Sequence, residues 1–123
     1  MQKSILILIC SFFLLGHSFA QSNSVLKAFG NTDLAKLESL MNDKLEFCIN
    51  DGQKSVDKQV ALKSIEKFLN EVSPRSCRKV HFGDSKVKGS YYEVGKLKSD
   101  KGNYRVFIYY EKNKIVEIRI DNY

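Results

Sequence analysis

The chain has 123 residues, with twenty Lys and Arg against fourteen Asp and Glu, a formal charge of +6. That length suits one ordinary domain, and 43% apolar with 28% charged residues is a globular composition, not that of a disordered tail. Three Cys exclude a disulfide-dense miniprotein, and two His exclude a His-rich metal site.

The first twenty residues read as an export signal. Lys3 gives a positive start, and Ile5 to Leu15 is an apolar run broken only by the small residues Cys10 and Ser11. Ser18-Phe19-Ala20 then supplies small residues at the third-last and last positions before cleavage. The run is too short for a comfortable transmembrane helix. Cys10 does not suit a lipid anchor, because Ile9 precedes it and it lies inside the apolar run instead of after it. The expectation is a cleaved signal peptide over 1–20 and a single domain over 21–123. That domain is exported to the periplasm or the exterior, without a lipid anchor and without stable membrane insertion after cleavage. It keeps Cys48, Cys77 and His81 as its Cys and His.

Within it, Val25, Leu26 and Phe29 form a short helical stripe that ends at Gly30. Asn31 or Thr32 caps a second helix, with Leu34, Leu37, Leu40 and Met41 on one face. Leu45, Phe47 and Ile49 alternate with polar or small residues as in a strand. Asp51-Gly52 is a hairpin turn, followed by a short return strand over 53–56. The periodicity predicts a long helix over 57–72, with Ala61, Ile65, Phe68, Leu69 and Val72 buried, ended by Ser73-Pro74. Four strands follow, over 77–86, 90–99, 103–112 and 114–122. The third carries apolar residues on both faces, as a strand covered on both sides does. The fold class is α+β, with helices packed on one face of a curved, mainly antiparallel sheet.

That element order resembles the nuclear-transport-factor-2-like (cystatin-like) cone. The second half adds Ser73-Pro74-Arg75-Ser76, Val80-His81-Phe82-Gly83, Tyr92-x-Val94-Gly95-x-Leu97, Gly102-Asn103-Tyr104-Arg105-Val106 and Ile118-Arg119-Ile120. With Gly30-Asn31 between the first two helices, this ordered set is similar to the small secreted Bacteroidota proteins of domain-of-unknown-function family 4783. The resemblance covers nearly the whole mature chain. It implies the cone fold and export, and it brings no assigned activity and no catalytic residues. Cys77 departs from it, standing where a bulky apolar residue is expected.

No nucleophile elbow, Gly-rich phosphate loop or nucleotide fingerprint is present, so no catalytic, cofactor-binding or metal-ligating residues are assigned and no cofactor is implied. His81 shares strand parity with Cys77 and Lys79. If Val80 and Phe82 face the core, His81 faces out as a surface residue. Cys48 and Cys77 either close a disulfide or serve as two small apolar side chains. Lys86, Lys88, Lys96, Lys98 and Lys101 cluster near strand turns, where they protect edges and solubility or meet anionic envelope polymers. Nucleic acid is excluded as a partner, because the aromatic residues are not interleaved with the lysines. If the last turn spans three residues over 112–114, Arg105, Phe107 and Tyr109 share the outer face with Asp121, Arg119 and Glu117.

The function expected is that of an exported, non-enzymatic binding or interaction domain. It either holds a small apolar ligand in the cone or pairs through the outer sheet face. The pocket wall would use Leu37, Met41, Ile65, Phe68, Val106, Ile108 and Ile118, and the interface Arg105, Phe107, Tyr109 and Arg119. The partner is a small ligand, an envelope protein or a second copy in a homodimer. The alternative is a small-molecule enzyme of isomerase or dehydratase type, with His81, Glu93 or Tyr92 turned into the cone.

Overall fold

The computed structural model describes residues 25–50 and 52–123. The export signal expected over 1–20 lies outside the described residues.

Helix α1 covers 25–31 and α2 runs Leu34–Leu40. The cap of α2 is neither Asn31 nor Thr32 but Asp33, whose carboxylate accepts from the Lys36 N–H at 3.2 Å. Met41, expected on this helix, turns extended and begins strand β1, Met41–Ile49. Strand β2, Lys54–Asp57, returns from the hairpin. Helix α3, Lys58–Val72, buries Ala61, Leu62, Ile65, Phe68, Leu69 and Val72 at helical spacing. It ends at Ser73, which adopts a left-handed conformation (φ 54°) ahead of Pro74.

Four strands complete the chain: β3 Pro74–Asp84, β4 Ser90–Ser99, β5 Gly102–Glu111 and β6 Lys114–Asn122. One six-stranded sheet results, in the order β2-β1-β6-β5-β4-β3. Neighbours are antiparallel except β1 and β6, which run parallel. Strand β6 therefore lies inside the sheet, between β1 and β5. The β5–β6 turn has two residues, not three: Lys112 and Asn113 both take positive φ, and Glu111 faces Lys114. A bulge follows, with Tyr109 opposite Glu117 but Tyr110 opposite Ile115. The extra residue, Val116, absorbs the difference, so Arg105 still faces Asp121 and Phe107 still faces Arg119.

The helices cover one face of the sheet. Apolar residues at alternate positions of β4, β5 and β6, among them Leu97, Val106, Ile108, Ile118 and Ile120, meet α1, α2 and α3 in one core. Phe68 of α3 sets its ring edge-on to Tyr104 of β5, centroids 5.0 Å apart. Helix α1 comes unusually close. A Cβ on Gly95 would sit 2.7 Å from Leu26 Cδ2 and 2.9 Å from Cys77 Sγ, and one on Gly30 would sit 2.7 Å from the Cys77 backbone nitrogen. Gly30 is thus not the helix stop expected of it, since α1 runs through it to 31. Its bare Cα lets α1 lie against β3.

Candidate functional site

The seven residues expected to wall a pocket are all buried and belong to one packed core: Leu37, Met41, Ile65, Phe68, Val106, Ile108 and Ile118. None of them lines a described cavity. A hollow of about 390 Å³ opens instead between α3 and the β1–β2 hairpin, walled by Phe47, Ile49, Val56, Val60, Lys54 and Ser64 among others. Among the described residues no group of three or more His, Cys, Asp or Glu could hold a metal ion.

Among the described residues one charged residue is buried. Glu93 of β4 shares the inner side with Leu97 and is 1% exposed. Its Oε1 accepts from the Tyr110 hydroxyl at 2.6 Å, and Tyr91 stacks on Tyr110 with centroids 4.6 Å apart. Its Oε2 has no hydrogen-bond partner and faces Lys79 Nζ at 3.8 Å. Burial raises the Glu93 carboxyl above the ordinary carboxylate range, opposed by the Tyr110 hydrogen bond and the Lys79 charge. Burial also raises Tyr110, and the Glu93 charge and hydrogen bond add to it. Cys77 is pushed up to about 12 by burial and then by Glu93, which leaves it a protonated, unreactive thiol. The pattern that reveals Glu93 is legible in β4, where Tyr91, Glu93, Gly95 and Leu97 alternate on one side.

The outer face is ordered in rows, because strand register aligns side chains across the sheet. One row reads Arg78, Lys96, Arg105, Asp121. The next reads His81, Val94, Phe107, Arg119, Cys48, and the third reads Gly83, Tyr92, Tyr109, Glu117, Glu46. The interface residues expected from the sequence, Arg105, Phe107, Tyr109 and Arg119, are brought together here. Arg119 lies over the Phe107 ring at 5.7 Å, and Tyr92 stacks on Phe107 at 5.6 Å. Tyr92 reaches across bare Gly83, where a Cβ would meet its ring at 2.5 Å, and its hydroxyl lies 2.9 Å from His81 Nε2. Burial raises the Glu117 carboxyl; Arg119 opposes this and Glu46 adds to it.

Two expectations are corrected and one open alternative is decided. Val80 does not face the core and is 45% exposed, whereas Phe82 keeps the inner side, opposite Glu93 and beside the Tyr91 ring, but is 47% exposed there. A bulge between Lys79 and His81 makes Val80 the extra residue and resets the alternation. His81 is nonetheless exposed, on the outer face. Cys48 and Cys77 are both free. They stand on opposite faces of β1 and β3 with three strands between them, roughly 19 Å at about 4.8 Å per strand. Finally, the lysines form no single cluster. Lys86 and Lys88 lie in the β3–β4 connection at one end of β4, Lys101 lies in the turn at its other end, and only Lys96 and Lys98 share a face.

Comparison with known proteins then decides the family. The family model described as "Domain of unknown function (DUF4783)" matches residues 22–121. The chain belongs to the DUF4783 family. It is similar to the crystal structure of a DUF4783 protein from Bacteroides uniformis, 27% identical over 80% of this chain and 94% of that one, with a TM-score of 0.72. A DUF4783 protein from Bacteroides ovatus is 28% identical over 80% of this chain and 92% of that one, also with a TM-score of 0.72. A more distant likeness, an NTF2-like protein of unknown function from Cytophaga hutchinsonii, is 9% identical over 77% of this chain and 80% of that one, with a TM-score of 0.55. That likeness fixes the fold as the NTF2-like, cystatin-like cone. No curated protein matches the chain.

Proposed function

We propose that this DUF4783 protein is an exported, non-enzymatic interaction domain that pairs with a second copy through the outer sheet face. One observation carries the reading: the residues expected to wall a ligand pocket lie buried in one hydrophobic cluster and line none of the described cavities, whereas the outer face presents Tyr92, Val94, Phe107 and Tyr109 only half-buried, flanked by Arg105 and Arg119. Aromatic rings beside arginines, with a polar surround, are the composition of an interface centre. A self-complementary patch of this kind gives a closed two-fold dimer. Export follows from the signal in residues 1–20, and no helix among the described residues is long and apolar enough to cross a membrane.

The test is light scattering across a concentration series. The wild type is expected to reach dimer mass at tens of micromolar concentrations, and Phe107→Glu to stay monomeric with an unchanged circular dichroism spectrum. A wild type that remains monomeric at the highest attainable concentration overturns the reading.

Two observations favour other uses of the cone. The hollow between α3 and the β1–β2 hairpin is mostly apolar and keeps a small apolar ligand in view. The buried Glu93–Tyr110 pair supports an isomerase or dehydratase, which needs a carboxyl of raised pKa. The enzyme reading is the weaker. Glu93 lines none of the described cavities, and His81 and Tyr92 lie together on the outer face.

A further inference from the structure

The basic end of the outer face carries charge that no described carboxylate balances. Arg78 stands directly opposite Lys96, and Lys96 directly opposite Arg105, so three cations lie side by side across β3, β4 and β5. Like charges at facing strand positions are destabilising, and backbone register holds the three Cβ atoms side by side. In the next row Ser76 faces Lys98. Among the described residues no carboxylate lies within ion-pair distance of Arg78, Lys96 or Lys98. Two acids stand nearby. Asp100 is held by Arg75 at 2.6 Å, and Asp121 faces Arg105 at the far end of the row.

Edge protection does not explain this arrangement. Lysines that guard a sheet belong on its edge strands, but Lys96 and Lys98 are on β4, which is paired on both sides. Nor are the side chains scattered. Ser76, Arg78, Lys96 and Lys98 together wall a depression of about 170 Å³. At its border Lys96 Nζ lies 4.7 Å and the Arg105 guanidinium 5.3 Å from the centre of the Tyr123 ring, which is itself 57% exposed.

We propose that Ser76, Arg78, Lys96 and Lys98 form a binding site for a phosphoryl group. A tetrahedral dianion offsets two of the three positive charges of Arg78, Lys96 and Lys98, where a single carboxylate offsets one. The Arg78 fork suits two phosphate oxygens at once, the two lysines act as point charges, and the Ser76 hydroxyl supplies a neutral donor. The depression has room for the phosphoryl group and the first atoms of its carrier, with the Tyr123 ring beside them. The site shares the outer face with Phe107, Tyr109 and Arg119 but no residue with them, so it stands whether or not the aromatic row pairs two copies.

The experiment is an NMR titration of the purified protein with inorganic phosphate, against sodium chloride at matched ionic strength. Amide signals of residues 76–78 and 96–98 are expected to shift and saturate with phosphate alone. Arg78→Gln and Lys96→Gln should each weaken phosphate about tenfold, the size expected for one charged hydrogen bond, while the rest of the spectrum stays in place. In phosphate-free, low-salt buffer Lys96→Gln should also melt higher than wild type, because it removes the middle cation of the row. Two further arms identify the carrier. Sedimentation with phosphatidic acid vesicles, lost in Lys96→Gln, points to a lipid headgroup; displacement of phosphate by glycerol phosphate without vesicle binding points to a soluble monoester. Equal responses to phosphate and chloride, or variants that bind phosphate as the wild type does, overturn the proposal.

Discussion

The inner and outer faces of the sheet are built from the same strands, at alternate residues, yet they treat polar groups in opposite ways. On the inner face one carboxylate, Glu93, is enclosed among apolar side chains and given a tyrosine hydroxyl and a lysine by the chain itself. On the outer face Arg78, Lys96 and Lys98 stand together with no internal partner within ion-pair distance among the described residues. Burial forces the first arrangement, because an unpaired buried charge is too costly to keep. Solvent permits the second, since water and salt screen the repulsion until an anion arrives. The inner face therefore serves stability, and the outer face is where a partner can still change the energy.

The sharpest way to break that division is to cut into the interior. Ile118→Ala, on the strand inside the sheet, should cost about 2–5 kcal/mol in urea unfolding; a loss under about 1 kcal/mol would show that the cone is not filled. Next in size is the effect of Glu93→Gln on pH dependence. The folded chain holds the Glu93 proton more tightly than the unfolded chain does. The Glu93 contribution to stability is therefore greatest below the ordinary glutamate value of about 4.3 and declines as pH rises through the raised folded value. Unfolding midpoints across that window should show wild type losing ground to Glu93→Gln with rising pH; parallel curves would mean that Glu93 titrates as a surface carboxylate. The smallest effect belongs outside. Arg119→Ala removes a half-exposed cation over the Phe107 ring and should cost about 0.5–1 kcal/mol; a loss as large as that of Ile118→Ala would erase the contrast between the faces.

Much of this architecture is legible in the sequence where one local rule acts alone. The spans of β4 and β6 follow from alternation, and the buried stripe of α3 from its 3.6-residue period. Reading fails where the backbone inserts a residue. The bulge at Val80 leaves the alternating pattern of β3 intact on paper while taking Val80 out of the core and turning His81 to the outer face. The two-residue turn at Lys112-Asn113 lacks the glycine that advertises left-handed backbone, and the Val116 bulge hides the error by restoring the register. The candidate sites were less legible still. Lys96 and Lys98 stand out in the sequence, but Ser76 and Arg78 reach them only through strand pairing, which no short-range pattern encodes.

The position of β6 also governs the order in which the molecule can assemble. Without it the sheet falls into two sets of strands, β1–β2 on one side and β3–β4–β5 on the other, and no strand of one pairs with a strand of the other. Residues 114–122 join them, so the sheet closes only when the last strand has been made. Contacts this distant along the chain form slowly, because loop closure must precede the energy it returns. A nascent chain of this topology cannot complete its sheet until synthesis reaches β6.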